Sequence, residues 1–129
     1  MKNREKLLVL IPALWASLFD IVITIVHQPK GYWNGDLNIA NEANPIGNFM
    51  MKYHVSGIFI ISILWLVIIA ILGYYLPRKV ARVFLLFTLM IHSWGASTWI
   101  SNYYSFWLVI VFILFNSILY LKMEGYLKN

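Results

Sequence analysis

A run of largely apolar residues, LLVLIPALWASLFDIVITIV from Leu7 to Val26, decides the fold of this chain. A helix of about 20 apolar residues crosses the roughly 30 Å hydrocarbon layer of a bilayer. Three further apolar runs follow, Val55 to Leu76, Val83 to Ile100 and Phe106 to Leu121. The chain is 61% hydrophobic and 12% charged, whereas about a quarter of a soluble domain is charged. The sequence therefore predicts an all-α polytopic membrane protein.

The predicted architecture is a single domain over residues 1–129, an antiparallel bundle of four transmembrane helices. We expect the helices over about 7–27, 45–76, 79–101 and 105–122, with an outer loop over 28–44. The second helix is predicted to begin at Asn44-Pro45, because Asn accepts from free backbone N–H groups and Pro fits the first helical turn. The first run is longer than the apolar region of a signal peptide and no small-x-small cleavage site follows it, which favours a membrane helix.

Basic residues are concentrated on one side of the predicted membrane. That side carries Lys2, Arg4, Lys6, Arg78, Lys79, Arg82, Lys122 and Lys128. The other side has only Lys30 and Lys52. By the positive-inside rule the protein is a multi-pass cell-membrane protein with both termini cytoplasmic, and the long first loop faces outward. The basic residues behind the net charge of +5 are therefore expected to contact anionic lipid of the bilayer, which is the predicted partner. The sequence contains no nucleic-acid-binding motif.

The composition also excludes several classes of site and reaction. The chain contains no cysteine, which excludes disulfides, thiolate metal sites and thiol catalysis. A homodimer or a larger membrane complex is compatible with so short a chain.

Asp20 lies inside the first apolar run, and an ionisable residue in a membrane helix is by default a functional-site hypothesis. Thr24 and His27 continue along the same face at helical spacing. Counted from the outer helix ends at about 1.5 Å per residue, Asp20 is roughly 10 Å deep, and His92 and Asn116 are each roughly 15 Å deep. Three helices are therefore predicted to contribute polar side chains to one layer.

These residues predict a buried, outward-facing polar site that binds a cation, a metal or a small polar group. Its predicted members are Asp20, Thr24, Glu42, Asn44, His92 and Asn116. If the site is catalytic, hydrolysis or group transfer in the membrane is expected, with Asp20 or Glu42 as base and His92 as ligand or acid. A divalent metal such as zinc is the cofactor considered, because imidazole and carboxylate groups are its ligands. The candidate metal ligands are Asp20, His27, Glu42, His54 and His92, which form no compact motif.

Two other classes of function stay open at this point. The first is a small dimeric transporter coupled to ions or protons, with a relay along Asp20, Thr24 and His27. The second is a non-catalytic accessory or structural subunit, in which Asp20 bonds to His92 or Asn116 and locks the helices together. The second helix is predicted to be mainly structural, and the third, which is rich in small and polar residues, to be the most central.

Two short motifs carry a resemblance. Asp20-x-x-x-Thr24 and Glu42-x-Asn44-Pro45 resemble the signatures of an uncharacterised family of small four-helix membrane proteins defined by Asp-x-x-x-Thr and Glu-x-Asn-Pro. The resemblance implies that these five residues belong to one site. It implies no particular activity.

Overall fold

The computed structural model describes residues 3–126, which form helices joined by turns without any β-strand. Lys2 and Lys128, which support the predicted orientation, lie outside the described residues. The six α-helices are α1 (Asn3–Val26), α2 (Lys30–Trp33), α3 (Pro45–Tyr53), α4 (Gly57–Tyr75), α5 (Arg78–Tyr103) and α6 (Phe106–Gly125). A 3₁₀ turn, Leu37–Ile39, lies between α2 and α3.

Four of these helices, α1, α4, α5 and α6, are long and apolar enough to cross a membrane. Many of their large apolar side chains are exposed, including those of Ile63, Val83 and Val111. Such exposure is normal where the solvent is hydrocarbon, because lipid tails are as apolar as the side chains. The prediction of an all-α four-helix membrane protein is confirmed.

The two helices α1 and α5 form the centre of the bundle. Each contacts the other and also contacts both α4 and α6, whereas α4 and α6 do not meet within the described chain. Consecutive spanning helices are antiparallel, so α1 and α5 run in the same direction. The end of the bundle at residues 27–56 and 104–105 is called the loop end below, and the opposite end the termini end.

Apolar packing closes the bundle at the termini end. Leu10, Ala13, Ile69 and Leu85 form a buried cluster between α1, α4 and α5. Gly73 permits this contact, because a Cβ atom there would lie 2.3 Å from a methyl carbon of Leu10. A second cluster joins α1, α5 and α6 towards the loop end. It consists of Ile23, Ala96, Ile100, Val109 and Phe112.

The predicted second helix is divided in the structure. The sequence predicts one helix over 45–76, but α3 ends at Tyr53 and α4 begins at Gly57, with extended backbone at His54 between them. The start of α4 packs directly on the backbone of α3, since a Cβ at Gly57 would lie 2.0 Å from the carbonyl oxygen of Met50. A continuous helix would keep these two backbones apart. Hydropathy does not predict such a contact, so the sequence predicts one helix where the structure has two.

The predicted outer loop over 28–44 is an ordered cap on the loop end. It contains α2 and the 3₁₀ turn, and Tyr32 within it is fully buried beside Met51 and Ile58. The Tyr32 hydroxyl donates to the carbonyl oxygen of Val55 at 3.0 Å. Gly35 supplies the positive φ of +100° that turns the chain after α2. This packing holds the polar segment that follows.

Candidate functional site

Asp20 of α1 meets His92 of α5 within the spanning region. Oδ2 of Asp20 lies 2.8 Å from Nδ1 of His92. Gly95 creates the room for the carboxylate, because a Cβ atom at Gly95 would lie 2.9 and 3.0 Å from its two oxygens. The parallel course of α1 and α5 places these residues at one level, as the depth count predicts.

Trp65 of α4 selects the tautomer of His92. Its indole Nε1 lies 2.6 Å from Nε2 of His92. An indole nitrogen only donates, so Nε2 of His92 is the acceptor and carries no proton. The single ring proton is therefore on Nδ1, which donates to Asp20, and His92 is neutral.

The tautomer has two chemical consequences. Asp20 accepts a hydrogen bond from a neutral imidazole, so His92 does not neutralise the carboxylate charge. Both ring nitrogens of His92 are also occupied, which conflicts with its predicted role as metal ligand or general acid. The sequence predicts a structural role for α4 and does not single out Trp65, since a donor-only indole among apolar residues gives no polar signal.

A second carboxylate reaches this region from the loop. The Gln28 side chain holds the segment, donating to the carbonyl oxygen of Asn41 at 2.7 Å and accepting from its N–H at 2.9 Å. Glu42 follows directly, and its Oε1 accepts the backbone N–H of Asn44 at 2.7 Å. The Asn48 amide donates to the backbone oxygen of Glu42 at 2.9 Å. These bonds fix both the backbone and the side chain of Glu42.

The Glu-x-Asn-Pro motif is the start of α3, as predicted. The side-chain oxygen of Asn44 accepts the backbone N–H of Ile46 at 3.0 Å and caps the helix. Glu42 packs against Gly47, where a Cβ atom would lie 3.0 Å from the Glu42 Cγ. Burial raises the pKa of Glu42, the hydrogen bond from the Asn44 backbone opposes that rise, and the nearby negative charge of Asp20 adds to it. A positive charge on His92 would lower this pKa, but the hydrogen bond from Trp65 favours the neutral ring.

The two carboxylates face the same space. Two adjoining cavities of about 210 and 490 Å³ share the lining residues Asp20, Thr24, Glu42, Asn44, Trp65 and His92. We refer to them together as the polar cavity. Pro45 also lines the larger one, so all five residues of the two motifs border it. Among the described residues, neither Lys nor Arg lines the polar cavity.

Asn116 is the one predicted member of the binding site that lies elsewhere. Its side-chain oxygen accepts from Trp15 Nε1 at 3.1 Å, and its amide donates to the Ser93 hydroxyl at 3.0 Å. It is buried where α1, α5 and α6 meet. His92 and Ser93 are adjacent in α5 and point about 100° apart, so Asn116 shares the depth of the site but not its direction.

The predicted metal site of five residues is not assembled. His27 directs Nδ1 to the backbone oxygen of Ile23 at 2.8 Å, and its ring packs on Tyr103 with centroids 4.3 Å apart. His54 is exposed and bonds to Ser56. Within residues 3–126, no three histidine, aspartate or glutamate side chains are grouped closely enough to hold a metal ion. Within the described chain the five predicted ligands are therefore not brought together, and the ring of His27 is engaged with Ile23 and Tyr103.

No protein-family model, curated protein or solved structure matches the chain. The chemistry of the site is thus given by its own groups. Two carboxylates, one neutral histidine and several indole rings surround a space without a basic side chain in the described lining.

Proposed function

We propose that the protein is a cell-membrane protein that binds a cation in the polar cavity from the outer side. The described basic residues at the termini end are Arg4, Lys6, Arg78, Lys79, Arg82 and Lys122. By the positive-inside rule that end is cytoplasmic, together with both termini. The loop end, where Glu42 and Asn44 border the polar cavity, then faces outward.

The observation that carries the proposal is the hydrogen bond from Trp65 to Nε2 of His92. It keeps His92 neutral, so the charge of Asp20 has no protein counter-charge in the described lining of the polar cavity. A unit positive charge about 4 Å from one carboxylate is favoured by about 4 kcal/mol at an effective dielectric constant of about 20. An uncompensated carboxylate is costly in a membrane, and a bound cation supplies the missing charge.

Binding accounts for the geometry better than the catalytic and transport alternatives. Catalysis would have to use Asp20 or Glu42 as its base without a free nitrogen of His92, because both nitrogens of His92 are engaged. Transport would require the helices to separate at the termini end, where Leu10 and Leu85 belong to a packed cluster. A cation-binding site requires neither change.

Cation titration of the purified protein in nanodiscs tests the proposal. Sodium, potassium and ethylammonium chlorides are titrated separately, and tryptophan fluorescence is followed, since Trp65 lines the polar cavity. We expect a saturable response to at least one cation, weakened about tenfold or more in Asp20→Asn and Glu42→Gln, which is about 1.4 kcal/mol.

The matched control is Asp36→Asn, which removes one negative charge from an exposed loop position outside the polar cavity. It should titrate like the wild type. A response that is unchanged in Asp20→Asn, or that is equally reduced in Asp36→Asn, would refute the proposed site.

A further inference from the structure

The polar cavity is long and its wall changes character along α5. The wall includes Asn102 near the loop end and Phe87 fifteen residues earlier, a distance of about 22 Å along the helix axis. Asn102 and Thr98 are polar, and Ile91 and Phe87 are apolar. His92, the partner of Asp20, lies between the two parts. A compact inorganic ion would use only a small fraction of such a wall.

The apolar part of the wall continues onto the membrane-facing surface of the bundle. Phe87, Ile91 and Trp94 are 61%, 40% and 64% exposed on a helix that is apolar enough to cross a membrane. The capping helix α3 contacts α4 but not α5 within the described chain. The polar cavity is therefore bordered on its α5 side by residues that also meet lipid.

The charges of the site select among the molecules present in a membrane. Asp20 and Glu42 attract a positive head group, and the lining also includes Trp65, Trp94 and Trp99, whose ring type binds ammonium groups through cation–π contact. A phosphate group is neutralised by Arg or Lys, and the described lining offers neither. The charge pattern therefore fits an ammonium head and disfavours a phospholipid head.

We infer that the cation is the ammonium head of a single-chain amphiphile that enters from the outer leaflet, with its tail along Ile91 and Phe87. The inference rests on the proposed function and adds the class of ligand. The head lies at Asp20 and Glu42. The tail gains little by exchanging lipid for the apolar wall, because both are hydrocarbon. Its role is to concentrate the ligand in the bilayer next to the polar cavity.

A series of alkylammonium salts from ethyl to dodecyl tests this inference on the full chain in zwitterionic nanodiscs. We expect the apparent affinity, expressed against total ligand, to rise about fourfold per methylene, as partition into the bilayer does. Ethylammonium should compete with dodecylammonium for the one saturable site. Asp20→Asn should lose the saturable response to both, which separates the site from general partition into the lipid.

A pair of substitutions on α5 tests the position of the tail. Ile91→Phe adds bulk where the tail must lie for the head to reach Asp20, and we expect it to weaken dodecylammonium binding roughly fivefold or more while leaving ethylammonium binding unchanged. Val83→Phe adds at least as much bulk at a position that is 70% exposed on the same helix and outside the polar cavity. It should leave both ligands unaffected.

The outcomes separate the two proposals. If ethylammonium binds but longer chains bind no better or more weakly, the ligand is an aqueous cation, and the inference fails while the proposed function stands. The inference also fails if phosphatidylethanolamine competes as well as dodecylammonium, or if Ile91→Phe affects both chain lengths equally. If neither the inorganic cations nor any member of the series gives a saturable response, the proposed function itself fails.

Discussion

Replacing Asp20 with Asn separates a binding role from a structural one by the sign of the stability change. Asn has nearly the same shape, and its side-chain oxygen can still accept the Nδ1–H of His92, which is bonded at 2.8 Å in the wild type. The substitution therefore removes the charge and keeps the hydrogen bond. If Asp20 and His92 serve only to hold the helices together, the weaker hydrogen bond to a neutral Asn should destabilise the protein.

The magnitudes favour the opposite result for the ligand-free protein. Replacing the charged acceptor by a neutral one costs about 1 kcal/mol of hydrogen-bond strength. A carboxylate at the centre of a membrane helix costs about 3 kcal/mol, and we take about half of that because the Asp20 side chain is 19% exposed and off-centre. Repulsion between Asp20 and Glu42 is relieved as well. We expect Asp20→Asn to raise the free energy of unfolding by about 0.5 to 1.5 kcal/mol.

The assay is unfolding in mixed micelles with increasing denaturing detergent, followed by circular dichroism, with and without a saturating cation from the titrations above. A cation at about ten times its dissociation constant should stabilise the wild type by about 1.4 kcal/mol and the Asp20→Asn variant hardly at all. Asp36→Asn is the charge-matched control and should resemble the wild type in both conditions. A variant that is less stable than the wild type and is still stabilised by the cation would refute this reasoning.

Three further predictions address neighbouring groups. Gly95→Ala should weaken cation binding in the fluorescence titration roughly fivefold, because its Cβ displaces the Asp20 carboxylate. The free energy of unfolding should change little, since the gain of about 1 kcal/mol in helix propensity offsets the cost of that displacement. Gly125→Ala is the control, because a Cβ there meets open space, and it should bind the cation normally. Because its pKa is raised, Glu42 holds its proton more tightly in the folded protein than in the unfolded chain. The free energy of unfolding should therefore fall as pH rises from the ordinary glutamate pKa through the raised one. A pH series of thermal melts should show this slope in the wild type and lose it in Glu42→Gln. Asn116→Leu should lower the free energy of unfolding by about 1 kcal/mol through its lost interhelical hydrogen bonds and leave cation binding unchanged. Weaker cation binding at normal stability would contradict this and would show that Asn116 belongs to the binding site.

The sequence predicts the spanning helices well because hydropathy and length are properties of the chain itself. It also predicts the common depth of Asp20 and His92, since depth is set by the rise per residue along parallel helices. The motif at Asn44 is equally local, because a helix cap needs only the first turn that follows it. All three predictions depend on residues close in sequence or on a simple count.

What the sequence did not predict depends on direction around a helix and on contacts between helices. Asn116 has the predicted depth, but it bonds to Ser93, whereas Asp20 bonds to the adjacent residue, His92. Trp65 gives no sequence signal because an indole counts as apolar in hydropathy, although its N–H decides the tautomer of His92. Tertiary packing is also what interrupts the predicted 45–76 helix before Gly57.

The polar residues of the bundle divide between two kinds of environment, and this division supports a binding role for Asp20. Asn116 is 3% exposed, neutral and bonded to two other helices, which is the pattern of a residue that joins helices. Asp20 is ionisable, keeps an exposed edge on a cavity and lies against Gly95, which leaves room at its oxygens. A neutral side chain would join α1 to α5 at lower cost. The difference between Asn116 and Asp20 therefore supports the proposal that Asp20 serves a bound cation rather than the packing of the helices.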